Sequence, residues 1–193
     1  MRFVFAGLIG LIAVTVFAAT MITQRGPDGE EVVQAYGVPF ELIDHNGDPI
    51  TQDAFRGQPS AVFFGFTHCP EVCPTTVYEM DGWFRELGDE AAKIKAYFVT
   101  VDPERDTPEM LGTYLTSQSD RITGITGDPE QVREMLRGFN VYFKKFDEDE
   151  YGYNMDHTAS VFLLDSNGDF RKTISYGENT ETAIQKLRDL AST

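Results

Sequence analysis

The sequence predicts an α/β fold, a mixed β-sheet flanked by helices, and three observations lead there. Two near-continuous apolar runs, Ser60 to Phe66 (SAVFFGF) and Ile94 to Val101 (IKAYFVTV), have the length and composition of strands buried on both faces. Between them Val77, Met80, Trp83, Phe84 and Leu87 fall on one helical stripe, which makes the stretch strand, helix, strand. Near the C-terminus Ser160 to Asp165 and Phe170 to Ser175 flank the turn Asn167-Gly168 and read as an antiparallel hairpin.

The other elements follow in order. Pro39 to Asp44 is a strand, turned by Asn46-Gly47, a dipeptide that accepts the positive φ of tight hairpin turns. A second helix starts at Thr107-Pro108, where threonine caps the free N–H groups and proline fits the first helical position, and it runs to about Ser117. Ile122 to Ile125 gives a third short strand, and Asp128-Pro129 opens a capped helix through Val132, Met135 and Leu136. Glu181 to Leu190 closes the chain as a helix. A four- or five-stranded mixed sheet with helices on both faces, an N-terminal hairpin addition and a terminal hairpin is a thioredoxin-like architecture.

At 193 residues and 41% hydrophobic content the chain suits one folded domain plus an appendage. Its net charge of -15, from 31 acidic against 16 basic residues, repels phosphate backbones and argues against nucleic-acid binding. Phe3 to Ile22 holds no charged residue and is long enough as a helix to cross a bilayer. A cleaved signal peptide and a retained anchor both fit, since Arg2 gives a positive start and Ala18-Ala19-Thr20 a cleavage-like site. The length of the apolar stretch favours the anchor. The division is then a membrane segment over residues 1–25, a linker over 26–37 and a domain over 38–193. Arg2 marks the cytoplasmic side, so the domain lies in a periplasm-like, disulfide-permissive compartment, with a bacterial inner membrane as the expected setting.

Only two cysteines are present, too few for a multi-bridge scaffold or a four-thiolate zinc site. Phe64 to Thr76 (FGFTHCPEVCPTT) puts Cys69 and Cys73 in the turn after a buried strand, each directly before a proline. Proline disfavours α backbone in the residue before it, which predicts both cysteines in non-helical backbone and Pro74 as the helix start. Cys73 then lies near a helix N-cap, where its thiolate is favoured. An inert disulfide is one reading, although so short a loop would stabilise the fold little. A redox dithiol normally has two intervening residues, whereas Pro70, Glu71 and Val72 make three here. That spacing lets two thiolates diverge toward one soft ion such as Cu(I), with an imidazole as third ligand. Of the three histidines, His45 reads as a solvated turn residue and His68 as a loop or orienting group beside Cys69. His157, before the terminal hairpin, reads from spacing alone equally as a ligand or as a structural histidine.

Three segments resemble the Sco/SenC copper proteins associated with cytochrome c oxidase assembly: FGFTHCPEVCPTT, VDPERDTP at Val101 to Pro108, and DHTASVFLLDSNGDF at Asp156 to Phe170. The likeness runs from about Val38 to the C-terminus, and the first motif is its most specific part; Glu71 departs from an aspartate common in that family. The resemblance implies a thioredoxin fold, an N-terminal anchor and one copper ion, Cu(I) or Cu(II), held by Cys69, Cys73 and His157. It implies a metallochaperone that delivers copper to the binuclear copper centre of the oxidase, or keeps the cysteines of that centre reduced. The partners implied are the copper-site subunit, an upstream copper donor and a thioredoxin-type thiol reductant. Alternatives on the same cysteines are a membrane-anchored thiol-disulfide oxidoreductase, with Cys69 and Cys73 as the redox-active pair, and a copper or redox sensor.

Other acidic groups have simpler readings. Asp102, Arg105 and Asp106 suggest an ion-paired loop, with docking to a partner as the alternative. Asp147 to Glu150 is a solvated acidic run. Asp156 is placed to orient the neighbouring His157. Asp44 to Asp48 and Asp165 to Asp169 look faintly like calcium loops but lack the EF-hand glycine and glutamate positions, and read as hairpin turns.

Overall fold

The computed structural model describes residues 37–146 and 152–193. The predicted membrane segment, the linker before Gly37 and the acidic run Asp147 to Glu150 lie outside the described residues. Among the described residues no helix is long and apolar enough to cross a membrane.

The chain begins with the hairpin β1 (Glu41–Asp44) and β2 (Pro49–Thr51). Its turn follows from local chemistry: Gly47 takes φ 88°, and the Asp44 carboxylate accepts the N–H groups of Asn46 and Asp48. Then come β3 (Ser60–Gly65), α1 (Val72–Leu87), β4 (Lys95–Thr100), α2 (Pro108–Thr116), β5 (Ile122–Thr126) and α3 (Pro129–Gly138). The two cap signals act as expected. Thr107 Oγ1 accepts the Met110 N–H, and Asp128 Oδ1 accepts those of Glu130 and Gln131. The chain finishes with β6 (Phe143–Lys145), β7 (Met155–His157), β8 (Ser160–Leu164), β9 (Phe170–Ser175) and α4 (Thr180–Leu190). At the β8–β9 turn the Asp165 carboxylate accepts the N–H groups of Asn167 and Asp169, a hairpin turn like the first.

The main sheet has seven strands in the order β2-β1-β5-β4-β3-β8-β9, the expected five-stranded sheet widened by the expected N-terminal hairpin. The added width comes from β1 and β2, the latter only three residues long and without apolar alternation. Strands β3, β4 and β5 run parallel, while β8 joins β3 and β1 joins β5 antiparallel. A separate two-stranded ribbon, β6 with β7, had no counterpart in the sequence reading.

Strand alternation sorts the aromatic side chains into two layers. Phe64 packs against Phe139 and Phe162 on one face of the sheet, with ring centroids 5.5 and 5.2 Å apart. Phe63, the next residue back, meets Phe98 at 5.8 Å, and Phe98 meets Tyr114 of α2 at 5.7 Å on the opposite face. Every residue of β3 is buried, so this strand is the spine of the core, each phenylalanine contributing about 1.5–3 kcal/mol by burial. Its last residue is glycine because a Cβ at Gly65 would lie 2.9 Å from atoms of both the Phe63 and Phe98 rings. The tight packing fixes where the following cysteine turn emerges.

Candidate metal centre

The cysteine turn leaves β3 at Phe66, whose carbonyl accepts the Cys69 N–H at 3.3 Å. It is held from below by Asp106, a carboxylate with no solvent exposure. Thr67 donates to Asp106 through its N–H at 3.1 Å and its hydroxyl at 2.6 Å, and Thr100 through its hydroxyl at 2.7 Å. Burial raises the Asp106 pKa and these donors oppose the rise. The loop was expected to pair Arg105 with both flanking carboxylates. Instead Arg105 pairs with Asp102, and Asp106 turns inward to the hydroxyls.

Helix α1 starts at Val72, two residues before the expected Pro74, and Cys73 is therefore helical. Pro74 itself is tolerated in the first turn, where its missing N–H has no intrahelical acceptor and no earlier helical carbonyl meets its ring, and Cys73 takes helical backbone against the pre-proline bias. Glu71 provides no side-chain cap at the N-cap position. The Cys69 sulfur takes the role, accepting the Cys73 N–H at 3.3 Å. The two cysteines thus differ sharply. Cys73 is fully buried, whereas Cys69 is half-buried; both are free thiols. A hydrogen bond from the Cys73 thiol, against the opposing effect of burial and with further help from His157 and the helix-start N–H, lowers the Cys69 pKa to about 4. The shared hydrogen bond to Cys69, burial and the charge on Cys69 push Cys73 far upward. Thiolate character was expected on Cys73; it falls on Cys69, because the half-buried Cys69 sulfur accepts the hydrogen bond that the buried Cys73 thiol donates.

His157 arrives from β7, where it stands opposite Phe143. Its ring sits edge-on to Phe63 and Phe66, with centroids 6.1 and 5.7 Å away. Nδ1 lies 3.1 Å from the Thr158 carbonyl, which can only accept, so Nδ1 carries a proton and Nε2 is the nitrogen turned toward the sulfurs. Nε2 faces the Cys73 sulfur at 3.4 Å. Asp156 does not orient the ring as expected. It is exposed, and side chains of adjacent strand residues point to opposite faces. The Thr158 carbonyl orients the imidazole instead.

The fold therefore brings Cys69, Cys73 and His157 together, with one ligand atom from each lying within 4.8 Å of the others. Two sulfurs and an imidazole nitrogen match the preferences of copper, above all Cu(I). The other two histidines lie apart. His68 is exposed, with Nδ1 3.1 Å from the Thr67 hydroxyl. His45 is not merely a solvated turn residue: its Nδ1 accepts the Gly124 N–H at 2.8 Å and pins the β1–β2 turn to β5. Phe63, Phe66, Thr158 and Asp106 shape the site without having been singled out for it. The phenylalanines had been read as core, and the Thr158 carbonyl leaves no side-chain signal.

Residues 28–192 match the profile of the SCO1/SenC family. The chain belongs to that family. Among curated relatives, protein SCO2 of Saccharomyces cerevisiae mitochondria is 34% identical over 158 residues, covering 80% of this chain and 52% of the yeast protein. The SCO2-like protein of Rickettsia prowazekii is 37% identical over 138 residues, 70% of this chain and 67% of that one. The chain thus spans about half the length of the yeast relative and about two thirds of the rickettsial one. Among solved structures, copper-bound ScoI of Bradyrhizobium japonicum superposes with a TM-score of 0.75 at 39% identity, covering 81% of this chain and 99% of that one. Copper-bound yeast Sco1 gives 0.76 at 28% identity, covering 82% and 90%. The sheet with its flanking helices is the thioredoxin-like Sco fold. Sco structures hold copper, and the Cys69, Cys73 and His157 group could hold one such ion.

Proposed function

We propose that this chain carries one copper ion on Cys69, Cys73 and His157 and delivers it to the copper-site subunit of cytochrome c oxidase. The convergence of two sulfurs and an imidazole nitrogen on one point, in a fold whose relatives are solved with copper, carries the reading. The acceptor is supported by BsSco, a structural relative described as a member of the Sco family of cytochrome c oxidase assembly proteins. Loading needs little rearrangement of charge. Cys69 is already a thiolate near neutral pH, Nε2 of His157 offers its lone pair, and Cys73 releases one proton as the ion enters. Unloading begins at Cys69, the half-exposed ligand, where an incoming thiolate of the acceptor replaces it before the buried Cys73. An upstream copper donor and a thioredoxin-type reductant serve the same site, since an oxidised pair has no thiolates to offer. Residues 38–193 act as the domain, outside the cytoplasm, tethered through the apolar segment in residues 1–25 by the linker 26–37; the charge-free run Phe3 to Ile22 supports that placement.

Competition between the reduced full chain and a Cu(I) chelator under anaerobic conditions tests the reading. One ion per chain is expected, with affinity reduced about 100-fold in His157→Ala. Unchanged affinity in that variant would remove His157 from the site.

A second reading is supported by one observation, the low pKa of the more accessible thiol. The Cys69 thiolate would attack a partner disulfide and form a mixed disulfide, expelling one partner thiolate. Cys73, after losing its proton, would then attack the Cys69 sulfur, freeing the second partner thiol and leaving Cys69 and Cys73 oxidised for the reductant to reset. Turnover on a peptide disulfide from the oxidase copper site measures this; a rate no greater than that of free dithiol argues against it.

A further inference from the structure

The cysteine half of the site rests on the seven-stranded sheet, but His157 belongs to the two-stranded β6–β7 ribbon, which is not hydrogen-bonded to that sheet as a strand. What holds the imidazole in register with the sulfurs is therefore a separate question. Phe143 and Met155 pack partly against the core, which gives contact but little direction. After His157 the chain enters β8 within three residues, with the Ala159 carbonyl accepting the Tyr176 N–H at 3.1 Å; before it, the directional contacts to residues 102–106 gather on Tyr153, four residues ahead. Its backbone carbonyl accepts Arg105 Nη1 at 2.9 Å, and its hydroxyl donates to Asp102 Oδ1 at 2.6 Å. Its ring lies between two cations, Arg105 Cζ and Lys145 Nζ, each 3.6 Å from the centroid. Lys145, the last residue of β6, also reaches Glu104 at 3.2 Å.

Arg105 itself is well covered, pairs with the buried Asp102, and lies 5.9 Å from the Phe66 ring that walls His157. Its Nη2 is buried with no hydrogen-bond acceptor among the described residues, and the Tyr153 and Phe66 rings lie beside the guanidinium. One residue further on, Asp106 grips Thr67 and the cysteine turn. Residues 102–106 thus touch both halves of the site.

We propose that Arg105 and Tyr153 form a clasp that positions His157 against Cys69 and Cys73. They are positioning residues, and the inference rests on the copper reading given above. With the clasp closed, the imidazole is presented as a third ligand without first ordering the ribbon; with it open, the ion keeps two sulfur ligands and leaves more readily.

Two measurements on the full chain test this. In metal-free protein, Tyr153→Ala should raise amide hydrogen exchange at residues 155–158 by about 10-fold while leaving strands β3 and β4 protected. Tyr153→Phe, which keeps the ring and the carbonyl and loses only the hydroxyl bond to Asp102, should show a smaller rise. In the Cu(I) chelator competition, Tyr153→Ala should weaken binding about 10-fold in the native background and not at all on top of His157→Ala. Unchanged exchange at 155–158 overturns the clasp, as does acceleration spread equally over β3 and β4. An equal copper loss in both backgrounds overturns the route through His157. If His157→Ala alone leaves the affinity intact, the three-ligand reading fails while the exchange result still decides the clasp.

Discussion

The two halves of the proposed copper site are built in different ways. The cysteine turn follows a strand with no exposed residue and is fixed by a buried carboxylate that accepts from three donor groups of Thr67 and Thr100. The histidine sits at the end of a three-residue strand, half-exposed, in a ribbon tied to the body by the entry into β8 on one side and by Tyr153 and a few partly buried side chains on the other. A site with one rigid half and one lightly held half can hold an ion through two sulfurs and release it in steps, the imidazole moving away and an incoming thiolate then replacing Cys69. The contrast also separates stability from metal handling. Damage to the cysteine half should harm both, and damage to the histidine half should harm mainly the second.

The largest effect should come from Cys73→Ser, which removes a buried ligand that the histidine cannot replace. Cu(I) affinity by chelator competition should fall on the order of 1000-fold, about 4 kcal/mol. An equal or smaller loss than in His157→Ala would erase the distinction between the halves. Next is Phe63→Ala, since Phe63 packs on Phe98 within the core and on His157 at the site. Denaturant unfolding should show a loss of about 3–5 kcal/mol together with weaker copper binding. Asp106→Ala should follow. It strands the hydroxyls of Thr67 and Thr100 and costs about 1–3 kcal/mol, whereas the Asp156→Asn change on the ribbon should stay within about 0.5 kcal/mol.

A pH dependence distinguishes the two sulfurs as well. The folded-state pKa of Cys69 is depressed to about 4 from an ordinary value of 9.0, so its contribution to stability is complete above the ordinary value and declines as pH falls toward 4. In the same window Cys69 is the reactive thiol. Alkylation mapped by mass spectrometry should modify Cys69 first, at a rate that changes little between about pH 6 and pH 8 while a free thiol accelerates. Preferential modification of Cys73 would reverse the assignment.

The same contrast governs what was legible in the sequence. Strands β3 and β4 announced themselves because burial on both faces requires unbroken apolar runs, and α2 and α3 because Thr107-Pro108 and Asp128-Pro129 are cap chemistry that the fold uses directly. The cysteine pair inherited that clarity. Strands β6 and β7, FKK and MDH, are too short to show a period and only half-buried, so nothing in them marked a strand. For that reason His157 remained ambiguous from spacing, and only resemblance to a family favoured it as a ligand. Local rules misled at two points. The proline rule put the start of α1 too late because Cys73 takes helical backbone against the pre-proline bias, and adjacency suggested Asp156 as a partner although strand alternation turns it away from His157. Tyr153 had no signal at all, since its role depends on a loop 48 residues away.

X-ray absorption at the copper edge of the reduced, Cu(I)-loaded full chain tests the central claim most directly, with His157→Ala measured beside it. Two sulfurs and one imidazole nitrogen per copper should appear in the native protein, and two sulfurs alone in the variant. A nitrogen shell that survives in His157→Ala, or one that is missing from the native protein, would contradict a site shared between the cysteine turn and the ribbon.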